Sequence, residues 1–449
     1  MTTKKAVVVG GGFAGLTAGY ELRKAGWEVT LLEASDEVGG RVRTVRKQGY
    51  TFDTGATQMS SGYREYLALL DELGMEGQMF ESSPHVGLLR HGRVHVIDGR
   101  SMMSGALTSA LSVRSKFVLL NTIRDAMAVK PPIDVVDVSR SHVADTESAA
   151  EYAKRRLNPE LYDVLVDALI RTYVMNRGDR VSALEWFSAL KNLGGEKLLS
   201  LRGGNDVLPK ALAKHFDVRL NTRVIGIDNV GPGVEVKAID AGGTSFTLSA
   251  DACVLATRLT EAVALYSPAR ELAGSLAEKL EYNRAWVVQL GYRKKPQTEA
   301  CGVLLGTVEQ PEITLLWLEH NKNNDRAPQG HSLFSVYSDE AANDEWYGKS
   351  DEELVRLASG FVERLFPEVK GQQDATLVTR WPLAIPNPAP GVYKLLFAMK
   401  QRLNPADPVQ LAGDYFTRTG QNSAIYYGKR AAENIIEHQS SHSAMRRHG

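Results

Sequence analysis

The sequence predicts an α/β protein that opens on a Rossmann-type unit and continues into helical and alternating segments. Three observations carry this. "VVVGGGFAGL", Val7 to Leu16, passes from a short apolar strand pattern through Gly10, Gly11, Gly12 and Gly15 into a helical pattern. Two distant stretches, "SLRGGNDVLPKALAKHFDVRLNTRVIGID" from Ser200 and "VQLAGDYFTRTGQNSAIYYGKRAAENII" from Val409, again join Gly turns and apolar runs to helices. Between these blocks the pattern is first helical and then alternating.

The first block forms a complete unit. "KAVVV" predicts a buried strand, Ala14 to Gly26 a helix, and "WEVTLLE" a second strand ending on Glu33. Strand, Gly-rich turn, helix and strand with a terminal acid is the Rossmann dinucleotide-binding pattern. Gly10 permits the tight turn, Gly12 lets a pyrophosphate approach the backbone, and Gly15 lets the helix pack on the strand. Phe13 and Ala14 open the helix, whose free N–H groups and positive dipole end face the phosphates. Glu33, followed by Ala34, would accept hydrogen bonds from an adenosine ribose and repel an additional phosphate. This block does not decide between NAD and FAD.

Composition bounds the remaining classes. The chain has 449 residues, too many for one compact core, so two domains are expected. The 53 Lys plus Arg equal the 53 Asp plus Glu, so no global charge argues for nucleic acid. Cys253 and Cys301 offer neither a disulfide framework nor a metal set, and the ten histidines show no metal or triad spacing. "MTTKK" leads directly into the first strand, and no apolar run is long enough to span a bilayer. A cytoplasmic location is expected. The most membrane-suggestive stretch, Ser104 to Val129, is interrupted by Arg114, Lys116 and Arg124. It is expected to pack as an amphipathic helix on its own protein.

After Glu33 comes "ASDEVGGRVRTVRKQGYTFDTGATQMSSG", with Gly39, Gly40, Arg41 and Thr44, then Gly55, Ala56, Thr57 and Gln58. Together with the first block, this resembles the amino-terminal signature of the FAD-dependent amine oxidase, protoporphyrinogen oxidase and phytoene desaturase superfamily. The resemblance implies FAD, held non-covalently, because no cysteine follows Cys301 where some members attach the flavin. It implies that Arg41 lies near phosphate and that Val224 meets the adenine through its backbone. In the closing block, Gly413 and Asp414 would meet the ribitol. A helix beginning near Ser423, with Ala424 and Ile425, would direct N–H groups at the flavin. Trp381, in "TRWPLAIPNPAPGVY", is a flavin neighbour by the same resemblance. The implied FAD-binding domain is discontinuous, 1–80, 198–275 and 400–438, with an α+β substrate domain inserted into it. The substrate domain is 81–197, mostly helical, and 276–399, an antiparallel sheet. The stretch 439–449 is a polar tail.

The resemblance leaves several reactions open. Amine oxidases of the superfamily carry a lysine in the strand before the "KP" turn. That place falls here on Trp286 to Val288, all apolar. The closing motif has Tyr427 and Lys429 where monoamine oxidases carry a serine and an aromatic residue. With the "ALIRTYV" helix, which resembles protoporphyrinogen oxidases, these departures favour dehydrogenation of a carbon framework. A small or medium ring ketone or ketoacid is expected, with amine oxidation and porphyrinogen oxidation as alternatives. Candidate catalytic residues are Arg171, to pair a substrate carboxylate, with Tyr173 and Tyr415. The expected partners are a cyclic small molecule and oxygen or another electron acceptor, with a homodimer compatible.

Overall fold

A computed structural model describes residues 3–192, 196–417 and 419–445. Five parallel strands form one sheet in the order Asp217–Arg219, Glu28–Leu32, Lys5–Val9, Ala252–Leu255, Val409–Leu411. Its strands come from three separated blocks, and Cys253 pairs both Val7 and Val409. A parallel sheet is covered on both faces, which is why its strands read as apolar runs. Ala6, Val8 and Val254 face the helices Phe13–Lys24 and Gln421–Met445. Val7, Val9 and Leu255 face a three-stranded antiparallel sheet, Arg223–Val230, Gly233–Ile239 and Ser245–Ala250. The two helices cross so closely that a Cβ on Gly428 would lie 2.2 Å from the Ala14 carbonyl oxygen.

A second sheet of seven strands has the order Gln373–Pro386, Tyr282–Tyr292, Ser332–Tyr337, Leu315–Leu318, Gly302–Leu304, His85–Arg90, Arg93–Asp98. Alternation sorts its side chains. Trp286, Val288 and Leu290 pack on helix Asp351–Leu365. Val287, Leu304, Leu315, Trp317 and Tyr337 face the opposite side, toward Leu165 and Leu169. The expectation that 81–197 is mostly helical needs correction at its start. His85–Asp98 is a hairpin joined to the sheet through the parallel pair of Val86 and Gly302. Its turn, His91–Gly92, has positive φ at both residues.

The Ser104–Val129 stretch differs from expectation in two ways. It forms two helices, Met102–Leu107 and Val113–Ala128, the second capped by Ser112. Its inward face carries Ser115, Thr122 and Ala126. Thr122 Oγ1 accepts hydrogen bonds from the buried Trp186 indole and from the Tyr152 hydroxyl. The large apolar side chains point outward instead: Phe117 is 68% and Met127 76% exposed. Two buried aromatic donors therefore decide which face turns inward. Among the described residues no helix is long and apolar enough to cross a membrane. The last helix continues through Met445, into the expected polar tail. Residues 446–449 lie outside the described residues.

Arg171, expected to pair a substrate carboxylate, is corrected to a structural clamp. It lies on helix Asp167–Val174 with its side chain fully buried. Nε donates to Asp339 at 2.7 Å. Nη1 donates to the carbonyls of Leu305 and Gln310, and Nη2 to those of Pro311 and Ile313. A guanidinium has five N–H donors, and all are consumed. Replacement of Arg171 by Met would leave Asp339 buried without its closest cation. The expected loss is about 3–5 kcal/mol of stability by denaturant titration, with the affinity of the remaining folded enzyme for substrate retained. Unchanged stability with lost substrate affinity would return Arg171 to the site.

Candidate active site

A continuous cavity of about 930 Å³ runs from the carboxyl ends of the parallel strands to the seven-stranded sheet. At the end beside the parallel strands, Gly10 has φ of +105° and a Cβ there would stand 2.7 Å from the Ala256 carbonyl oxygen. Both conformation and crowding demand glycine. Gly12 lines the cavity, and a Cβ on it would meet nothing within 4 Å, so the space over this backbone is open. Phe13 and Ala14, at the helix start, line it too. Gly15 does not. Its Cβ would stand 2.0 Å from the Gly10 carbonyl oxygen, which is the helix–strand contact expected of it.

Glu33 is held rigidly beyond its strand. Oε2 accepts from the Gly11 N–H at 2.6 Å, and Oε1 accepts from the N–H and hydroxyl of Ser35. Ala34, Gly40 and Val224 complete this part of the wall. Strand Arg223–Val230 is irregular between Val224 and Gly226, where its pairing shifts.

At the other end three blocks converge. Arg41 lines the cavity, but its guanidinium is engaged within the protein. Nη2 donates to Asp414 Oδ1 and Nη1 to the Ala384 carbonyl, both at 2.8 Å. Burial opposes the Arg41 charge, yet Asp414 more than offsets this and raises its pKa. Arg41 therefore lines the cavity and also clamps the first block to the last. Asp414 Oδ2 accepts from Thr419 at 2.6 Å. The Trp381 indole donates to the Thr54 carbonyl, and its ring lies against Gly55, where a Cβ would be 3.2 Å away.

Gly55, Ala56, Thr57, Gln58, Gly413, Ser423 and Ala424 also line this end. The last helix starts at Gln421, two residues before the expected start, and the Ile425 side chain is buried in the helix–sheet core. The side-chain oxygens of Gln58 and Gln421 are buried without hydrogen-bond partners. Unpaired acceptors on a wall with open space over Gly12 fit a large cofactor carrying N–H and O–H donors.

The remaining third is apolar. Leu165, Leu169 and Tyr173 face Val287, Leu304, Leu315 and Trp317 across it. Val287 is the cavity-facing member of the Trp286–Val288 triplet, so the triplet presents an apolar side chain to the cavity. Of the three candidate catalytic residues only Tyr173 lines the cavity. Tyr415 is corrected to a core residue. Its ring folds back beneath Gly413, where a Cβ would lie 2.5 Å away, and stacks on Phe416 with centroids 4.7 Å apart. Burial raises its hydroxyl pKa well above the ordinary value. Tyr427 continues this stack and accepts from Lys400 at 2.7 Å, while Lys429 pairs Glu65.

One group escaped sequence reasoning. Lys322, Glu319 and Ser335 form a buried polar chain ending at Thr57, behind the wall. "WLEHNK" reads as a strand end and turn, and nothing in it marks the lysine as buried.

Comparison with known proteins follows the same architecture. Residues 13–436 match the family model for flavin containing amine oxidoreductase. Coproporphyrinogen III oxidase of Bacillus subtilis (strain 168) is 23% identical, over 96% of this chain and 98% of its own length. Protoporphyrinogen oxidase 2, chloroplastic/mitochondrial, of Arabidopsis thaliana is 24% identical, over 98% and 95%. The solved structure of cyclohexylamine oxidase from Brevibacterium oxydans IH-35A shares the fold, with a TM-score of 0.78 at 18% identity over 98% of this chain and 100% of that one. The match from the first helix to the last identifies the chain as an FAD-dependent oxidoreductase that belongs to the flavin containing amine oxidoreductase family.

Proposed function

We propose that the cavity holds FAD non-covalently and that the enzyme dehydrogenates the carbon framework of a small or medium, largely apolar cyclic substrate, a ring ketone above all. The FAD-binding unit is then 1–80, 198–275 and 400–438, and 81–197 with 276–399 builds the substrate side. The adenosine and pyrophosphate would be held by Gly10, Gly12, Phe13, Ala14, Glu33, Ala34, Gly40 and Val224. The ribitol and ring system would be held by Gly55, Ala56, Thr57, Gln58, Trp381, Gly413, Asp414, Ser423, Ala424 and the Ile425 backbone. Bound flavin supplies hydride acceptance at N5. The first turn of helix Gln421–Met445 favours negative charge at that wall.

The observation that carries the reading is the apolar wall formed by Leu165, Leu169, Val287, Leu304, Leu315 and Trp317. Those six side chains carry no charge, so an amine lying on them would lack the carboxylate partner that Glu81 and Glu196 supply elsewhere on the lining. With Arg171 consumed, the lining still carries Arg100 and Lys197, both paired with Glu81, and the carboxylate of Glu196. A neutral ring therefore suits the wall better than a ketoacid or a polycarboxylate. In such a ring the carbonyl acidifies the neighbouring C–H, and Tyr173 is the wall residue able to bear on the carbonyl oxygen. A second reading, oxidation of a porphyrinogen, is favoured by the two full-length relatives, whose names specify such substrates.

Three measurements follow. Heat precipitation should release FAD into the supernatant, and flavin retained on the polypeptide would refute non-covalent binding. Glu33→Ala should weaken FAD binding by about 1.5–3 kcal/mol in titrations of the apoprotein, as a charge-assisted hydrogen bond is lost. Unchanged affinity would remove Glu33 from the site. Anaerobic mixing with cyclic ketones, porphyrinogens and amines, followed by mass spectrometry, decides the reaction. Loss of two hydrogens from a ring ketone supports the first reading and turnover of porphyrinogen alone the second. Release of ammonia or an aldehyde from an amine at far higher rates would overturn both.

A further inference from the structure

Behind the cavity wall lies a buried polar chain for which neither sheet packing nor hydride transfer accounts. Lys322 and Glu319 are each 1% exposed and lie 3.0 Å apart in the short helix Glu319–Lys322. The Lys322 ammonium donates to Thr57 Oγ1 at 3.0 Å and stands 4.8 Å from the Trp317 ring centroid. Both Thr57 and Trp317 line the cavity. The carboxylate is tied on its other oxygen to Ser335 at 2.8 Å, and Ser335 accepts from Gln289. Neither Glu319, Ser335 nor Gln289 lines the cavity. The pair is therefore oriented, with its cation against the wall and its anion one residue further back.

Such a pair is costly to bury. Desolvating each ion costs several kcal/mol, and apolar side chains of the same volume would often serve stability equally well. The other charged groups around it are already matched. Asp53 pairs Arg326 at 2.9 Å, and burial keeps the Tyr337 hydroxyl protonated. Beside the cavity this leaves a dipole whose positive end is carried to the surface by the Thr57 hydroxyl. In a low-dielectric wall such a fixed charge acts over several ångströms.

We propose that Lys322 is a positioning residue for the cofactor: held by Glu319 and acting through Thr57, it favours the reduced, more negative form of bound FAD. This rests on the placement of the flavin ring system at Gly55–Gln58 proposed above. The predicted signs are opposite for the two partners. Removing the cation disfavours reduction, and neutralising its counter-ion favours reduction.

The test measures the ratio of reduced to oxidised flavin at a fixed potential in the full-length holoenzyme, using photoreduction with a reference dye. Lys322→Met should lower that ratio about tenfold, which is about 30 mV for a two-electron couple. Glu319→Gln should raise it, and Lys322→Arg should restore it. A merely structural pair would lower thermal stability in both charge-removing variants without opposed shifts. Shifts of the same sign, or none, overturn the proposal. If those two variants fail to retain flavin, Thr57→Val carries the test, since it keeps both charges paired. A lowered ratio with intact fold supports the proposal, and an unchanged ratio overturns it. Failure of the cofactor placement is read separately: unchanged FAD affinity in both Glu33→Ala and Gly12→Val would remove the premise and overturn both inferences.

Discussion

The ion pair between Arg41 and Asp414 joins chain segments 373 residues apart, and the cavity exists only because these segments are held together. Arg41 also donates to the Ala384 carbonyl, so one guanidinium binds the first block, the crossing strand and the closing turn. The Asp414 side chain is only 8% exposed. In that setting the pair is far less screened than a surface salt bridge, and removing one partner would strand a buried charge. The Trp381 ring lies against Gly55 near this junction, held by its own hydrogen bond to the Thr54 carbonyl.

The same economy recurs elsewhere. Residues whose chemistry suggested a role toward substrate are used to hold segments in place. Arg171 gathers four carbonyls and a carboxylate, and Tyr415 stacks in the core beneath Gly413. What remains on the cavity wall at Leu165, Leu169, Val287, Leu304, Leu315 and Trp317 is mostly hydrocarbon. An apolar wall strengthens any fixed charge just behind it, because little water intervenes to screen it. The oriented pair of Lys322 and Glu319 gains its interest from that contrast.

Much of the fold was legible. The turn at Gly10 to Gly15 specifies its own strand and helix within a few residues. The helix Asp351–Leu365 follows from its periodicity and its Ser350 capping box. The hairpin His85–Asp98 was less visible. Its alternation is short, it adjoins a long helical stretch, and the partner strand Gly302–Leu304 lies some two hundred residues later. The outward face of Val113–Ala128 was also hidden, because periodicity gives an apolar stripe without saying which neighbours need the opposite face.

The sequence by itself determined the glycine turn after the first strand, the acidic end of the second strand and the apolar triplet at Trp286–Val288. These demands are local, set by backbone conformation, spacing and side-chain alternation over a few residues. Only the tertiary structure decided that Tyr173 faces the cavity while Arg171 and Tyr415 do not, and that a buried lysine stands behind Thr57. Whether a donor is free depends on which acceptors surround it. For Arg171 those acceptors come from segments 134 to 168 residues away, which only folding brings within hydrogen-bond reach.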